Sequence, residues 1–266
     1  MASTITKIEA QKRKGRYNVY VDGAYAFPIS EEVLIKYRIF KGMEIDEQTQ
    51  EQLKQADQVS KLYSRAIDFL AHNLRTEYEV REKLLSLSED EGAIDAVIER
   101  LKDQQLVNDA RYADSYVTTV IRARKNGPAW IRNHLKTKRV PENDIENSLE
   151  KLFSDDLALE IASESAEKNI KLKKNDSLKM VQNKTKNLLA QRGFSFEIAN
   201  EAVQSVDMSE FADRDEAIID RMAARYDRKY SKYQGYEHEQ RLKQALYAKG
   251  FSMDDIQAAM DRLSEN

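Results

Sequence analysis

Few residues in this chain are of a type and spacing that could do chemistry. There is no cysteine, so disulfides, thiolate nucleophiles and cysteine-based zinc sites are excluded. The three histidines, His72, His134 and His238, lie far apart, and none has a second histidine or a carboxylate at a known metal-ligand spacing. No glycine-rich phosphate loop and no Gly-x-Ser-x-Gly elbow is present. The 46 carboxylates are abundant, but they sit at expected helix starts and on expected solvent faces. Asp155-Asp156, the group Asp213/Asp215/Glu216 and Asp254-Asp255 read as first-turn acids, which a helix N-terminus favours. A working acid pair needs convergence in a pocket, and stacked helical repeats rarely supply one. These residues point to a protein without catalytic apparatus, metal site or cofactor.

The positive signal is base placed in runs. From Ser115 to Pro141 there is no acid, against Arg122, Arg124, Lys125, Arg132, Lys136, Lys138 and Arg139. From Lys168 to Phe196 the one acid is Asp176, against Lys168, Lys171, Lys173, Lys174, Lys179, Lys184, Lys186 and Arg192. From Arg221 to Lys249 eight bases, among them Arg225, Arg228, Lys229 and Lys232, meet three acids. Cations at helix C-termini answer the helix dipole, which accounts for Arg124 and Lys125 but not for a whole acid-free second helix. Basic runs of this kind suit a larger, charged partner, and single- or double-stranded DNA, weakly bound, is one such partner. Tyrosines interleave with them: Tyr112 and Tyr116 are expected in a core, Tyr226 to Tyr236 at a surface.

Elements must hold these runs in place. Ile5 to Gln11 alternates apolar and polar, Tyr17 to Val21 follows a basic turn, and Asp22-Gly23 signals a tight hairpin into Ala24 to Phe27. A short helix starts at Ser30-Glu31-Glu32. From residue 47 the period becomes helical: Leu62, Ala66, Ile67, Leu70 and Leu74 form one stripe, and Val80, Leu84 and Leu87 the inward side of the next helix. Thr76-Glu77-Tyr78-Glu79 is a capping-box start. The pattern Leu84, Ile94, Ile98, Leu101 then recurs without gaps as Leu135, Ile145, Leu149, Leu152, as Leu189, Ala199, Val203, Val206, and as Leu246, Ile256, Met260, Leu263. A turn recurs with it: Lys138-Arg139-Val140, Arg192-Gly193-Phe194 and Lys249-Gly250-Phe251, where glycine suits a left-handed helix C-cap.

The expected fold is mainly α: tandem three-helix units stacked into an elongated curved rod behind a small N-terminal β unit. The expected boundaries are 1–46 for the β unit and 47–106, 107–153, 154–208 and 209–266 for four modules. Because each module has its own core, residues 1–46, with exposed base at Lys12, Arg13, Lys14 and Arg16, are expected to be dispensable for the folding of the rest. No run approaches the roughly 20 apolar residues of a membrane-spanning helix, and the N-terminus does not read as a secretory signal, so a cytosolic protein is expected; a monomer is the expected state.

Three blocks carry a resemblance. Arg75 to Leu84 resembles the Arg-Ser-x-x-Glu-Leu-x-x-Lys-Leu segment of the RecX family; Leu101 to Leu106 with Asn108-Asp109 and Tyr112-Ala113 resembles its Leu…Asp-Asp-x-x-(Phe/Tyr)-Ala segment; and Gly127-Pro128-Ala129-Trp130-Ile131-Arg132 with Leu135 and Lys138 resembles its Gly-Pro-x-x-Ile-x-x-x-Leu-x-x-Lys-Gly segment. The β unit is similar to the extension of longer members. The departures are local: Ala129-Trp130 stands for an Arg-rich pair, His134 for a frequent Glu and Arg139 for the usual Gly. Contacts made by the missing arginines are thereby in doubt, and Trp130 becomes either an aromatic anchor or a core residue. The resemblance implies a non-enzymatic modulator of the RecA recombinase in DNA repair, recombination and the SOS response. Such a protein binds RecA filaments along their groove and suppresses ATP hydrolysis and strand exchange. The competing readings are a DNA-binding helical repeat that acts without RecA contact and a generic helical adaptor.

Overall fold

The computed structural model describes residues 3–172 and 176–264, with the backbone alone over 209–214. Strands β1 (Ser3–Ala10), β2 (Arg16–Val21), β3 (Ala24–Ser30) and β4 (Glu44–Ile45) form one antiparallel sheet in the order β3-β2-β1-β4. Asp22 and Gly23 both have positive φ, 50° and 85°, as a type I′ hairpin requires, and Val21 pairs with Ala24 across the turn. Pro28 is tolerated in β3 because that strand is an edge. Helix α1 (Glu31–Lys36) follows directly, its first turn capped by the Ser30 hydroxyl, which accepts from the Val33 N–H. Two-residue β4 escapes the alternation test because two residues carry no period.

Helix α2 (Glu47–Leu70) begins at Asp46, whose carboxylate accepts from the Thr49 N–H. Its 24 residues serve two cores. Leu53 joins Ile5, Val19, Phe27, Ile29 and Ile45 under the sheet, whereas Leu62 and Ala66 join the core below. Asp57, 2 % exposed, fixes the first half: Arg16 donates to both of its oxygens at 2.6 and 3.0 Å, and the Ser30 N–H donates at 2.7 Å. Arg16 is therefore a buried-pair residue rather than an exposed one, and a boundary at residue 46 passes through a single core. The expected dispensability of residues 1–46 conflicts with this packing.

Helices α3 (Glu77–Leu85) and α4 (Glu91–Asp103) complete the first helical core with Val80, Leu84, Ile94, Val97, Ile98 and Leu101. The capping box reads as expected: Thr76 accepts from the Glu79 N–H and Glu79 accepts from the Thr76 N–H. Leu74 and Leu87 are corrections, at 48 and 47 % exposed, because Leu74 lies beyond the end of α2 and Leu87 beyond the end of α3.

The same three-helix arrangement returns as α5 (Asp109–Ala123), α6 (Pro128–Thr137), α7 (Glu142–Leu152); as α8 (Asp155–Leu172), α9 (Leu178–Gln191), α10 (Phe196–Gln204); and as α11 (Ser209–Tyr230), α12 (Gly235–Tyr247), α13 (Met253–Ser264). Recurrent positions Leu135, Ile145 and Leu149, Leu189, Ala199 and Val203, and Leu246 and Ile256 are all buried. Asp213 and Asp215 lie in the second turn of α11, not the first, because that helix starts at Ser209. The chain divides into two compact units, one running to Ala113 and including Lys136–Asp144, the other holding Asp114–Leu135 and the chain from Ile145.

Candidate partner-binding surface

The recurrent turns prove to be internal joints. In the first unit, Lys138 donates to Glu79 at 2.6 Å, the Arg139 guanidinium lies 6.0 Å from the Tyr78 ring, and Asp109 accepts from the Glu77 N–H at 2.8 Å. All three reach the N-terminus of α3. Burial pushes the Glu79 carboxyl up, but the Lys138 hydrogen bond and the Thr76 N–H outweigh it and hold the group below its ordinary value; burial raises Asp109. In the second unit, the N-terminus of α6 meets the α9 turn: Gly127 N–H donates to the Arg192 carbonyl at 2.7 Å and Ala129 N–H to the Gly193 carbonyl at 3.0 Å. At α9 the pattern repeats, with Ser177 Oγ donating to the Lys249 carbonyl at 2.6 Å and Leu178 N–H to Asp215 at 2.9 Å. Each recurrent turn thus satisfies the free N–H groups or the cap of an earlier second helix. Gly193 is forced by this approach: its φ is +86°, and a Cβ there would lie 2.2 Å from the Trp130 backbone nitrogen. At the first joint Arg139 adopts the same left-handed region, φ 58°, without glycine.

The long acid-free span of the sequence is not acid-free in space. Arg124 binds Glu160 at 2.6 Å and Glu164 at 2.7 Å, which raises its own pKa, Glu164 first, and lowers that of Glu164. Arg132 donates to both oxygens of Glu146, at 2.6 and 2.8 Å, and Lys136 to Glu142 at 2.7 Å. Lys171 pairs with Glu167 and Lys184 with Asp176. Arg228 donates to the Ala224 carbonyl. Among the described residues, Arg122, Lys125, Lys186, Arg225, Lys229 and Lys232 have no carboxylate partner. Lys173 and Lys174 lie outside the described residues.

Trp130 is 37 % exposed and stacks with Tyr116 and His134, the three rings lying within 15° of parallel. It is a surface residue whose backbone belongs to a joint. His72 is exposed, and His238 faces Asp227 at 3.4 Å. Among the described residues no group of three potential metal ligands converges, and no helix is long and apolar enough to cross a membrane. Asp57, Glu146 and Asp215, which fix several of these arrangements, give no sequence signal beyond being acids on helices; Glu79 is legible as the end of the capping box, but its pairing with Lys138 is not.

Comparison with known proteins decides the family. The chain matches the regulatory protein RecX N-terminal domain over residues 3–46, the first RecX three-helix domain over 63–101, the second over 108–149 and the third over 214–260. This chain belongs to the RecX family. It is 41 % identical over 261 residues to the regulatory protein RecX of Limosilactobacillus reuteri, covering 97 % of each chain. It is 40 % identical over 264 residues to that of Levilactobacillus brevis, covering 99 % of each. A crystal structure of a regulatory protein RecX superimposes with a TM-score of 0.69 at 39 % identity, covering 77 % of this chain and 100 % of that one. RecX from Lactobacillus salivarius gives 0.55 at 38 %, covering 57 and 99 %. The third RecX domain match falls on α11–α13, so α8–α10 lie between the second and third matches.

Proposed function

We propose that this protein is a non-enzymatic regulator that binds RecA filaments and slows RecA ATP hydrolysis and strand exchange, acting as a cytosolic monomer without a cofactor. Family membership along nearly the whole chain carries the reading. The tandem units support it. A filament repeats its surface, so several three-helix units on one chain can each make a weak contact and add them at high effective concentration. The modules we assign are 47–106, 107–153, 154–208 and 209–266, with the first half of α2 shared with the β unit of 1–46. The unpaired cations Arg122, Lys125 and Lys186 are the contact residues we assign to a negatively charged filament surface; Trp130 is the assigned aromatic contact. The test is DNA-dependent ATP hydrolysis by RecA titrated with this protein. Slowing at substoichiometric ratios is expected, because one chain reaches more than one subunit. Unchanged hydrolysis at about tenfold molar excess overturns the proposal.

A further inference from the structure

Helix α11 ends differently from the other first helices. Its core stripe, Ile219 and Ala223, continues as Tyr226 and then Tyr230, with Tyr233 in the turn that follows. The Tyr226 and Tyr230 rings lie 6.0 Å apart and nearly parallel, at 11°, and the Tyr233 ring is 6.4 Å from Tyr230. Tyr226 still packs on the core; Tyr230 and Tyr233 are half-buried, and their hydroxyls have no hydrogen-bond partner among the described residues. Internal hydrogen bonds therefore do not account for tyrosine here.

Cations accompany the rings. Lys229 Nζ lies 5.8 Å from the Tyr226 centroid and 5.4 Å from that of Tyr230; Lys232 Nζ is 5.0 Å and the Arg241 guanidinium 4.0 Å from Tyr233. Arg241 is partly neutralised by Glu237, but Arg225, Lys229 and Lys232 are exposed with no carboxylate partner among the described residues. Between Arg221 and Tyr236 the one acid is Asp227, which faces His238.

We infer that this ladder of tyrosines and unpaired cations at the end of α11 is a binding site for single-stranded nucleic acid. Aromatic faces take unpaired bases by stacking regardless of sequence, and adjacent cations neutralise the phosphates between them. A duplex hides its base faces and would use the cations alone. An acidic peptide would likewise use the charge and leave the rings idle.

The test measures binding of the full chain to a fluorescein-labelled oligothymidine strand by anisotropy, against a duplex of equal length and a polyglutamate competitor. The single strand is expected to bind more tightly than the duplex. Tyr230→Leu/Tyr233→Leu should weaken it by about tenfold or more, while Tyr230→Phe/Tyr233→Phe should bind like the parent. Lys229→Ala/Lys232→Ala should flatten the salt dependence by a slope of about 1.4, two phosphates' worth for a single strand. Tyr233→Leu alone, outside the helix, guards against misfolding and should still weaken binding. Equal affinity for strand and duplex, efficient competition by polyglutamate, or leucine variants with parental affinity each overturn the inference. No RecA is present, so the outcome is independent of the regulatory function proposed above.

Discussion

The basic residues of α6 and those of α11 look alike in sequence and behave oppositely in the fold. Arg132 and Lys136 of α6 reach Glu146 and Glu142, so the run without acids is neutralised by acids from α7. Arg225, Lys229 and Lys232 find no carboxylate among the described residues, only tyrosine rings in the case of the two lysines. Charge runs along a chain therefore report little about surface potential until the neighbouring helices are placed. Lys138 and Arg124, from the same acid-free run as Arg132, go further and become parts of joints and inter-helix contacts.

The largest effect that would sharpen this contrast lies at a joint. Gly193→Ala places a methyl group 2.2 Å from a backbone nitrogen and forces alanine to φ +86°, so backbone must move and the bonds from Gly127 and Ala129 are lost. We expect destabilisation of about 3–5 kcal/mol in urea unfolding. Gly23→Ala is the control: a Cβ there meets nothing within 4 Å, and only the left-handed penalty of about 1 kcal/mol should appear. Equal effects would mean that the α9 turn is not a packed joint.

Much of this was legible beforehand. The hairpin followed from Asp22-Gly23, the capping box from Thr76 and Glu79, and the three-helix repeat from apolar positions that recur without gaps, because each depends on local spacing. The recurrence of the basic-glycine-aromatic turn was also visible, but its purpose was not: a joint is a contact between segments more than 50 residues apart, as Lys138 and Glu79 are. The double duty of α2 was hidden for the same reason, since one continuous helix carries no mark where one core ends and another begins. For the binding surface, the runs of base were plain while their neutralisation was not; the Tyr226 to Tyr236 group, read as a surface feature, divides, with Tyr226 packed on the α11 core, Tyr230 and Tyr233 half-buried and Tyr236 exposed.

A smaller effect tests the contrast directly. Arg132→Ala removes a bidentate pair, one-third exposed on the arginine side, and should cost about 0.5–1 kcal/mol, with Glu146→Ala costing the same and the double change little more. Arg225→Ala should leave unfolding unchanged. If both arginines prove neutral, the α6 pair is an ordinary solvated contact and the two surfaces differ less than their geometry suggests.

The smallest effect is read against pH, at the first joint. Glu79 titrates below its ordinary value of 4.5 in the folded protein, because the Lys138 hydrogen bond and the Thr76 N–H outweigh the opposing effect of burial. A carboxyl with a lowered folded pKa stabilises fully above its unfolded value and loses that contribution as pH falls through the folded one. Lys138 is raised above 10.5, chiefly by the same hydrogen bond, so its contribution is complete below that value and is lost as pH rises through the folded one. Asp109, raised by burial, runs the other way in acid and gains on protonation. The melting temperatures of the parent and Lys138→Ala should therefore differ most between about pH 5 and 10 and converge below about pH 4. Asp109 is common to both proteins and cancels in the difference. A gap that persisted unchanged into acid would show that Lys138 supports the joint through its alkyl stem and not through Glu79.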